Sequence, residues 1–346
     1  MNMGNLLQRF LVARGGVARR LSFLLVLLLA CFGVFGDKKN LLFPLKLSFY
    51  ELSTQYGSGY TPFTFPAQCS NLCVPASSQS SANVILANIY KNKVNTDNQI
   101  WVGTFWESPD NYKAISPAYQ FDYIASYAMQ SSFFINSMVR DTFYLAGPGH
   151  KLPIVPYNFR IKNEMMSVWI SNCNARKRLK LLHDLTNQGV TYASYGSCNR
   201  EGHTAKQQYQ YPTPWDNFKN DIYKHSAQHI FFYAAENSHC RGYVTEKVYH
   251  GLVAGSIPIY YGTDDAKQMV PANSTIFASD FTTQGLANRM IEIANNETLF
   301  ESYMKWRRRP LEPHMLEFLK LSDAWKCDMC QAIHSKLPKH TWDNFC

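Results

Sequence analysis

The chain has 346 residues, 46% hydrophobic and only 17% charged, which is enough for two globular domains with substantial cores and excludes a largely disordered chain. Net charge is +9, but Arg9, Arg14, Arg19 and Arg20 carry four of those charges ahead of any folded part, leaving five on the remainder. That balance suits an anionic small substrate; no element concentrates lysine and arginine as a nucleic-acid binder would, and Arg307-Arg308-Arg309 reads as a solvated helix end.

Leu21 to Gly36, LSFLLVLLLACFGVFG, is sixteen uncharged residues between Arg19-Arg20 and Asp37-Lys38-Lys39. As a helix rising about 1.5 Å per residue it falls somewhat short of a hydrocarbon core of about 30 Å, and flanking basic side chains can snorkel. The upstream arginines place residues 1–20 in the cytoplasm, 21–36 in the membrane as a signal-anchor, and the rest on the far side. A signal peptide cleaved near Val34-Phe35-Gly36 gives the rest of the chain the same destination. Of nine cysteines, Cys31 lies in this span; the other eight are an even set that fits disulfides in an oxidising compartment. Cys69-x3-Cys73 with Cys327-x2-Cys330 also has the composition of a zinc site, which the membrane segment makes the weaker reading. Asn273-Ser274-Thr275 and Asn296-Glu297-Thr298 are glycosylation sequons.

Residues 37–66, with weak strand signals around Leu41 to Tyr50 and a Gly, Ser and Pro-containing turn region, read as a stem. The first domain then runs 67–158. It opens with CSNLC, continues with a strand from Val84 to Ile89 and another at Gln99-Ile100-Trp101-Val102, and reaches Trp106-Glu107-Ser108-Pro109-Asp110-Asn111. On its own, Glu107 is an ordinary loop glutamate.

The second domain runs 159–305. Met166-Ser167-Val168-Trp169-Ile170 is a buried-strand pattern, followed by SNCNARKRLKLLHDL, a polar turn entering a helix with Leu179, Leu182 and Leu185 on one side. HIFFYAAENSHCRGYVTEKVYHGLVAGSIPIYYG, His229 to Gly262, is then one βαβ unit. Its first strand is Ile230 to Ala235. Thr245 can cap a helix carrying Val248, Leu252 and Val253, Gly255 ends it, and Ile257 to Tyr261 is the second strand. Ligands of open α/β sheets sit beyond the carboxyl ends of strands, where helix N-termini favour anions, and Glu236, Asn237, Tyr243, Glu246 and Lys247 all fall there. The residues themselves point to a nucleotide diphosphate.

ENSHCRGYVTEKVYHGLVAGSIPIYYG resembles the signature of the α1,3-fucosyltransferases: FENS, then Y-[IV]-T-E-K, then A-G-x-[VI]-P. SNCNARKR, the Tyr195-Gly196-Ser197-Cys198 turn, Glu107-Ser108-Pro109, the stretch Phe121 to Met129 and Tyr303-x-x-Trp306 resemble further family segments, so the likeness spans roughly Cys69 to Cys330. It departs on the acceptor side. Ala87-Asn88-Ile89-Tyr90 stands in place of a His-rich segment, and SSFFINSM, Ser131 to Met138, is an apparent insertion before Arg140-Asp141-Thr142.

The resemblance implies two facing Rossmann-like domains, the GT-B arrangement, behind one transmembrane helix of a single-pass type II Golgi protein. It implies inverting transfer of L-fucose from GDP-fucose in α1,3 linkage to N-acetylglucosamine of an N-glycan or glycolipid, with Glu107 as the general base. The donor would be held by Ser171, Asn172, Arg178, Tyr233, Glu236, Asn237, Tyr243, Thr245, Glu246 and Lys247, with Arg176 second to Arg178 as diphosphate ligand. No resident metal is expected, a divalent cation acting at most as a stimulant, and the partners are GDP-fucose, the glycan acceptor and the membrane through residues 21–36. The tail, 306–346, returns to the first domain, tying Cys69 and Cys73 to the Cys327/Cys330 pair. A bridge across some 250 residues removes denatured-chain entropy worth on the order of 5 kcal/mol, whereas Cys327 to Cys330 would close a very short ring. A catalytically silent carbohydrate-binding relative and a transferase of another sugar nucleotide are the competing readings.

Overall fold

The computed structural model describes residues 46–52, 65–88, 98–108, 121–127, 131–135, 147, 154–198 and 221–336. The proposed membrane span, Cys31, Pro109 to Asn111, Arg140-Asp141-Thr142 and Cys346 lie outside them. Among the described residues no helix is long and apolar enough to cross a membrane.

Among the described residues the strands form two sheets. Six make the first, all neighbours parallel: β1 (Leu47–Glu51), β2 (Cys73–Pro75), β3 (Val84–Asn88), β4 (Ile100–Phe105), β5 (Tyr123–Ser126) and β6 (Phe133–Phe134), in the order β2-β1-β3-β4-β5-β6. Every residue of β3 is buried, the continuous pattern expected of a central parallel strand covered on both faces. One expectation changes here. The sheet already includes Leu47 to Glu51, so the stem does not extend to residue 66; Leu47 and Phe49 are each 1% exposed, and burying them between β2 and β3 outweighs the polar turn region that made the segment look like stem. The apparent insertion is structural too, since Phe133 and Phe134 form the edge strand β6.

The second sheet has five strands, again parallel: β7 (Ile161–Val168), β8 (Tyr192–Ser194), β9 (His229–Ala235), β10 (Ile257–Tyr261) and β11 (Ile276–Phe277), in the order β11-β10-β9-β7-β8. Between and after them run α1 (Arg176–Asn187), α2 (Asp221–Ser226), α3 (Glu246–Ala254), α4 (Thr283–Ala294), α5 (Glu297–Met304) and α6 (Pro313–His334). One core packs Met166, Val168, Ile230, Phe231, Ile257 and Ile259 against Leu182 and Leu185 of α1 and Leu286, Met290 and Ile293 of α4. The other packs Phe232, Ala234 and Tyr260 against Val248 and Leu252 of α3, with Trp306 and Phe318. Each such side chain contributes about 1.5–3 kcal/mol when taken from water. Gly255 ends α3 at φ 78°, a left-handed conformation that glycine adopts without penalty.

Arg160 anchors the amino ends of these strands. It is 4% exposed, and its guanidinium donates to the carbonyls of Val155 (3.0 Å), Ala227 (3.1 Å), His229 (2.6 Å) and Gly255 (2.9 Å). Arg307, expected on a solvated helix end, is instead half-buried and donates to Leu252 O at 2.8 Å, while Arg308 and Arg309 are exposed.

After Pro313, a residue suited to the first turn, α6 runs back along the first sheet, where Phe318 meets Phe134 with ring centroids 5.3 Å apart. Cys69 is bridged to Cys327 and Cys73 to Cys330, across 258 and 257 residues. These four cysteines are therefore not thiolates for a zinc ion. A further bridge, Cys173 to Cys198, joins the loop before α1 to the turn after β8.

Candidate active site

The loops that follow β4 and β9 meet. Glu107 and Ser108 come directly after β4, and Glu236 to Lys247 connect β9 to α3. Tyr243 O–H donates to Glu107 Oε1, and Ser238 Oγ–H donates to Ser108 Oγ. The two sheets thus bring their carboxyl ends to one place, and the residues expected to act on the two substrates share it.

At the start of α3 the expected cap is replaced. Thr245 occupies the cap position, but its side chain accepts no backbone N–H of the first turn. The Glu236 carboxylate, with no side-chain exposure, accepts Thr245 N–H at 2.8 Å and Thr245 Oγ1–H at 2.7 Å. Lys247 Nζ lies 3.1 Å from Glu236 Oε2, 3.2 Å from Glu246 Oε1 and 2.7 Å from Thr245 Oγ1. Burial pushes the Glu236 carboxyl up, with Lys247 and Thr245 working the other way; burial also lowers Lys247, but Glu236 and then Glu246 outweigh it and hold the ammonium above its ordinary value. Glu236, expected to touch the donor, is therefore a fixed internal counter-ion that presents Lys247. Gly262 packs against it: a Cβ there would stand 3.0 Å from Glu236 Cγ and 2.4 Å from the Tyr260 hydroxyl.

Arg178 is also placed differently from expectation. It is 3% exposed and donates to Ala235 O (3.2 Å) and Asn172 O (2.9 Å), while Tyr233 O–H donates to Arg178 O at 2.7 Å. Helix α1 begins two residues before it, so its side chain turns inward to the end of β9; Arg176 remains exposed. Burial lowers the Arg178 pKa, with Glu236 and more weakly Glu107 opposing. Arg178 and Tyr233 thus frame the site from beneath. Ser171 and Asn172 are exposed beside it, Ser171 O accepting Ser197 Oγ–H at 3.2 Å.

Three buried polar atoms here have no hydrogen-bond partner: Arg178 Nε, Asn237 Oδ1 and His239 Nε2. His239, which the sequence reading passed over although it lies inside the ENSH run, stands edge-on to Tyr261 with centroids 4.3 Å apart, and burial followed by Lys177 lowers its pKa, keeping the ring neutral. Buried polar groups in folded proteins are nearly always paired, so these atoms together with Lys247 mark where a polar ligand would complete the site. Among the described residues no group of three or more His, Cys, Asp and Glu is arranged to hold a metal ion. Both sequon asparagines are exposed, away from this loop: Asn273 at φ 58° before β11, and Asn296 capping α5 through Oδ1, which accepts Leu299 N–H at 3.1 Å.

Two parallel α/β sheets whose strand ends meet at a pair of loops, one carrying a carboxylate and the other a lysine at a helix N-terminus, define the GT-B class of glycosyltransferase. Residues 159–344 match the family described as glycosyltransferase family 10 (fucosyltransferase), C-terminal part, and the chain belongs to that family. A GDP-fucose protein O-fucosyltransferase 3 from Gallus gallus is 26% identical over 265 residues, 72% of this chain and 54% of that one. The alpha-(1,4)-fucosyltransferase of Arabidopsis thaliana is 28% identical over 180 residues, 49% of this chain and 45% of the relative; alpha-(1,3)-fucosyltransferase B of Drosophila melanogaster is 34% identical over 130 residues, 34% and 28% of the two chains. The chain spans about half, or less, of these relatives' lengths. A solved alpha1,3-fucosyltransferase with GDP-fucose shares the fold, with a TM-score of 0.53 at 14% identity over 85% of this chain and 94% of that one.

Proposed function

We propose that the chain transfers L-fucose from GDP-fucose, with inversion, in α1,3 linkage to N-acetylglucosamine of a glycoprotein or glycolipid glycan. The observation that carries this reading is the meeting of Glu107 with the Lys247 loop. Glu107 takes the proton of the acceptor hydroxyl as the new bond forms, and the sugar passes through an oxocarbenium-like state. Lys247 and the N-terminus of α3 neutralise the departing diphosphate, Asn237 Oδ1 accepts from a hydroxyl of the donor, and His239 Nε2 meets a donor hydroxyl or phosphate oxygen. The segment Leu21 to Gly36 and the cysteine pairing support a Golgi protein anchored as a single-pass type II chain.

A second reading has a protein hydroxyl as acceptor. It is favoured by the Gallus gallus relative, named for protein O-fucosylation and matched over most of this chain, and by Ala87-Asn88 in place of the His-rich acceptor segment. The deciding experiment incubates the purified lumenal part with GDP-fucose, an N-acetylglucosamine-terminated glycan panel and folded protein acceptors, reading GDP release and product linkage. An α1,3-fucosylated glycan supports the first reading and a fucosylated protein side chain the second; measurable GDP-fucose binding without turnover on any acceptor refutes both.

A further inference from the structure

Glu107 is held from the opposite sheet. The oxygen that accepts Tyr243 O–H also accepts the backbone N–H of Ser108 at 2.9 Å, so one side of the carboxylate is fixed by two donors. The neighbouring Ser238–Ser108 hydrogen bond fastens the same two loops a second time. Tyr243 is 1% exposed, and its ring does not line an open ligand surface: it lies edge-on to Tyr127, centroids 4.9 Å apart, among Ile85, Trp101 and Phe105 of the first sheet's core. A side chain carried by the β9–α3 loop is thus built into the sheet that carries the base.

We propose that Tyr243 is a positioning residue for Glu107, orienting its carboxylate toward the acceptor hydroxyl and tying that geometry to the donor-side loop. This rests on the proposed function and replaces the expectation that Tyr243 touches the donor. The phenol stays a donor because burial, then Glu236 and Glu107, raise its pKa. The other charged groups bearing on the pair are Arg178 on Glu107, and Glu236 and Glu246 on Tyr243. A hydrogen bond donated to a carboxylate favours its ionised form. Removing the hydroxyl takes away a donor that comes from the opposite sheet, and with it a restraint on the orientation of the carboxylate.

The test is Tyr243→Phe, which keeps the ring in its core. The expected result is a kcat lowered roughly 10- to 100-fold by loss of orientation, with GDP affinity within about twofold of wild type. In a Glu107→Gln background the same change should lower kcat no further. Should Tyr243→Phe not fold, 3-fluorotyrosine placed at 243 keeps ring and hydroxyl, and its fluorine resonance should shift when Glu107→Gln is introduced, reading the phenol–carboxylate contact directly. Unchanged kcat in Tyr243→Phe, lost GDP affinity with kcat retained, or a fluorine resonance indifferent to Glu107→Gln overturns the inference. Wild-type protein that transfers no fucose overturns the proposed function instead, a separate outcome read before any variant is made.

Discussion

Glu236→Gln separates a scaffold role from a ligand role at the donor loop. The wild-type carboxylate takes three donors, Thr245 N–H, Thr245 Oγ1–H and Lys247 Nζ, with no solvent access. The amide retains one acceptor oxygen; its NH2 then faces an ammonium or a hydroxyl that was donating, so one cation is left buried without its main counter-charge. Removing one partner of a buried ion pair costs about 3–5 kcal/mol, and hydrogen bonds to a charged group about 1.5–3 kcal/mol each, terms that overlap because they describe the same atoms. A loss of about 3–5 kcal/mol in urea unfolding is therefore expected, together with weaker GDP binding by calorimetry as Lys247 loses its fixed position. Glu246→Gln is the control. Its side chain is 44% exposed and it shares the same lysine, so solvent screening keeps its stability effect under about 1 kcal/mol. If Glu236→Gln unfolds within about 1 kcal/mol of wild type and binds GDP normally, the buried counter-ion argument is refuted.

Lys247→Ala should weaken GDP binding by about 1.5–3 kcal/mol, roughly 10- to 100-fold, whereas Arg178→Ala should act chiefly on stability, because Ala235 O and Asn172 O lose buried donors worth about 1–3 kcal/mol each. Calorimetry and thermal unfolding of both variants check this; a purely affinity-based loss in Arg178→Ala would restore it as a direct diphosphate ligand. Acid should destabilise the protein through His229, which is fully buried, with Nδ1 2.6 Å from Glu164 O and Nε2 2.8 Å from the Tyr195 hydroxyl. Burial lowers its pKa from 6.5 to about 4, so the unfolded chain binds the proton more readily between those values. Stability is then fully present above pH 6.5 and falls by about 3 kcal/mol as pH drops through 4. Urea midpoints at pH 7, 5.5 and 4 for wild type and His229→Gln read this, and a wild-type midpoint independent of pH over that range contradicts it.

The βαβ unit from His229 to Tyr261 was legible because strand, helix and glycine stop each left a local signal, and the strand and helix ends fall within a residue of their expected places. The return of the tail was legible because two cysteine pairs at opposite ends of the folded part leave few economical pairings. Three features were not. Strand β1 is isolated by a turn-rich segment and gains its place only from neighbours that come later in sequence. Strand β6 is two residues long, too short for any period to register. The Cys173–Cys198 bridge depends on two loops brought together by the pairing of β7 with β8, which spacing alone does not reveal.

The site differs from its sequence reading for one physical reason. A motif dense in charged and aromatic residues at a strand end invites the inference that each faces the ligand, yet every buried polar group must also be satisfied, and here the motif largely satisfies itself. Glu236 serves Thr245 and Lys247, Arg178 serves the β9 end, Tyr233 serves Arg178, and Tyr243 serves Glu107 across the gap between sheets. What is left over for a ligand is a smaller set: Lys247, Asn237 Oδ1, His239 Nε2 and Arg178 Nε. Under the proposed function such a donor site is preorganised, since Lys247 is already held by a buried carboxylate and Glu107 by a buried phenol. Such preorganisation places fixed charges and dipoles where charge develops in the transition state and avoids reorganising them during the reaction. It also makes the loop between β9 and α3 answer to both sheets at once, so a change in that loop, at Tyr243 or Ser238, is felt first at Glu107 and Ser108.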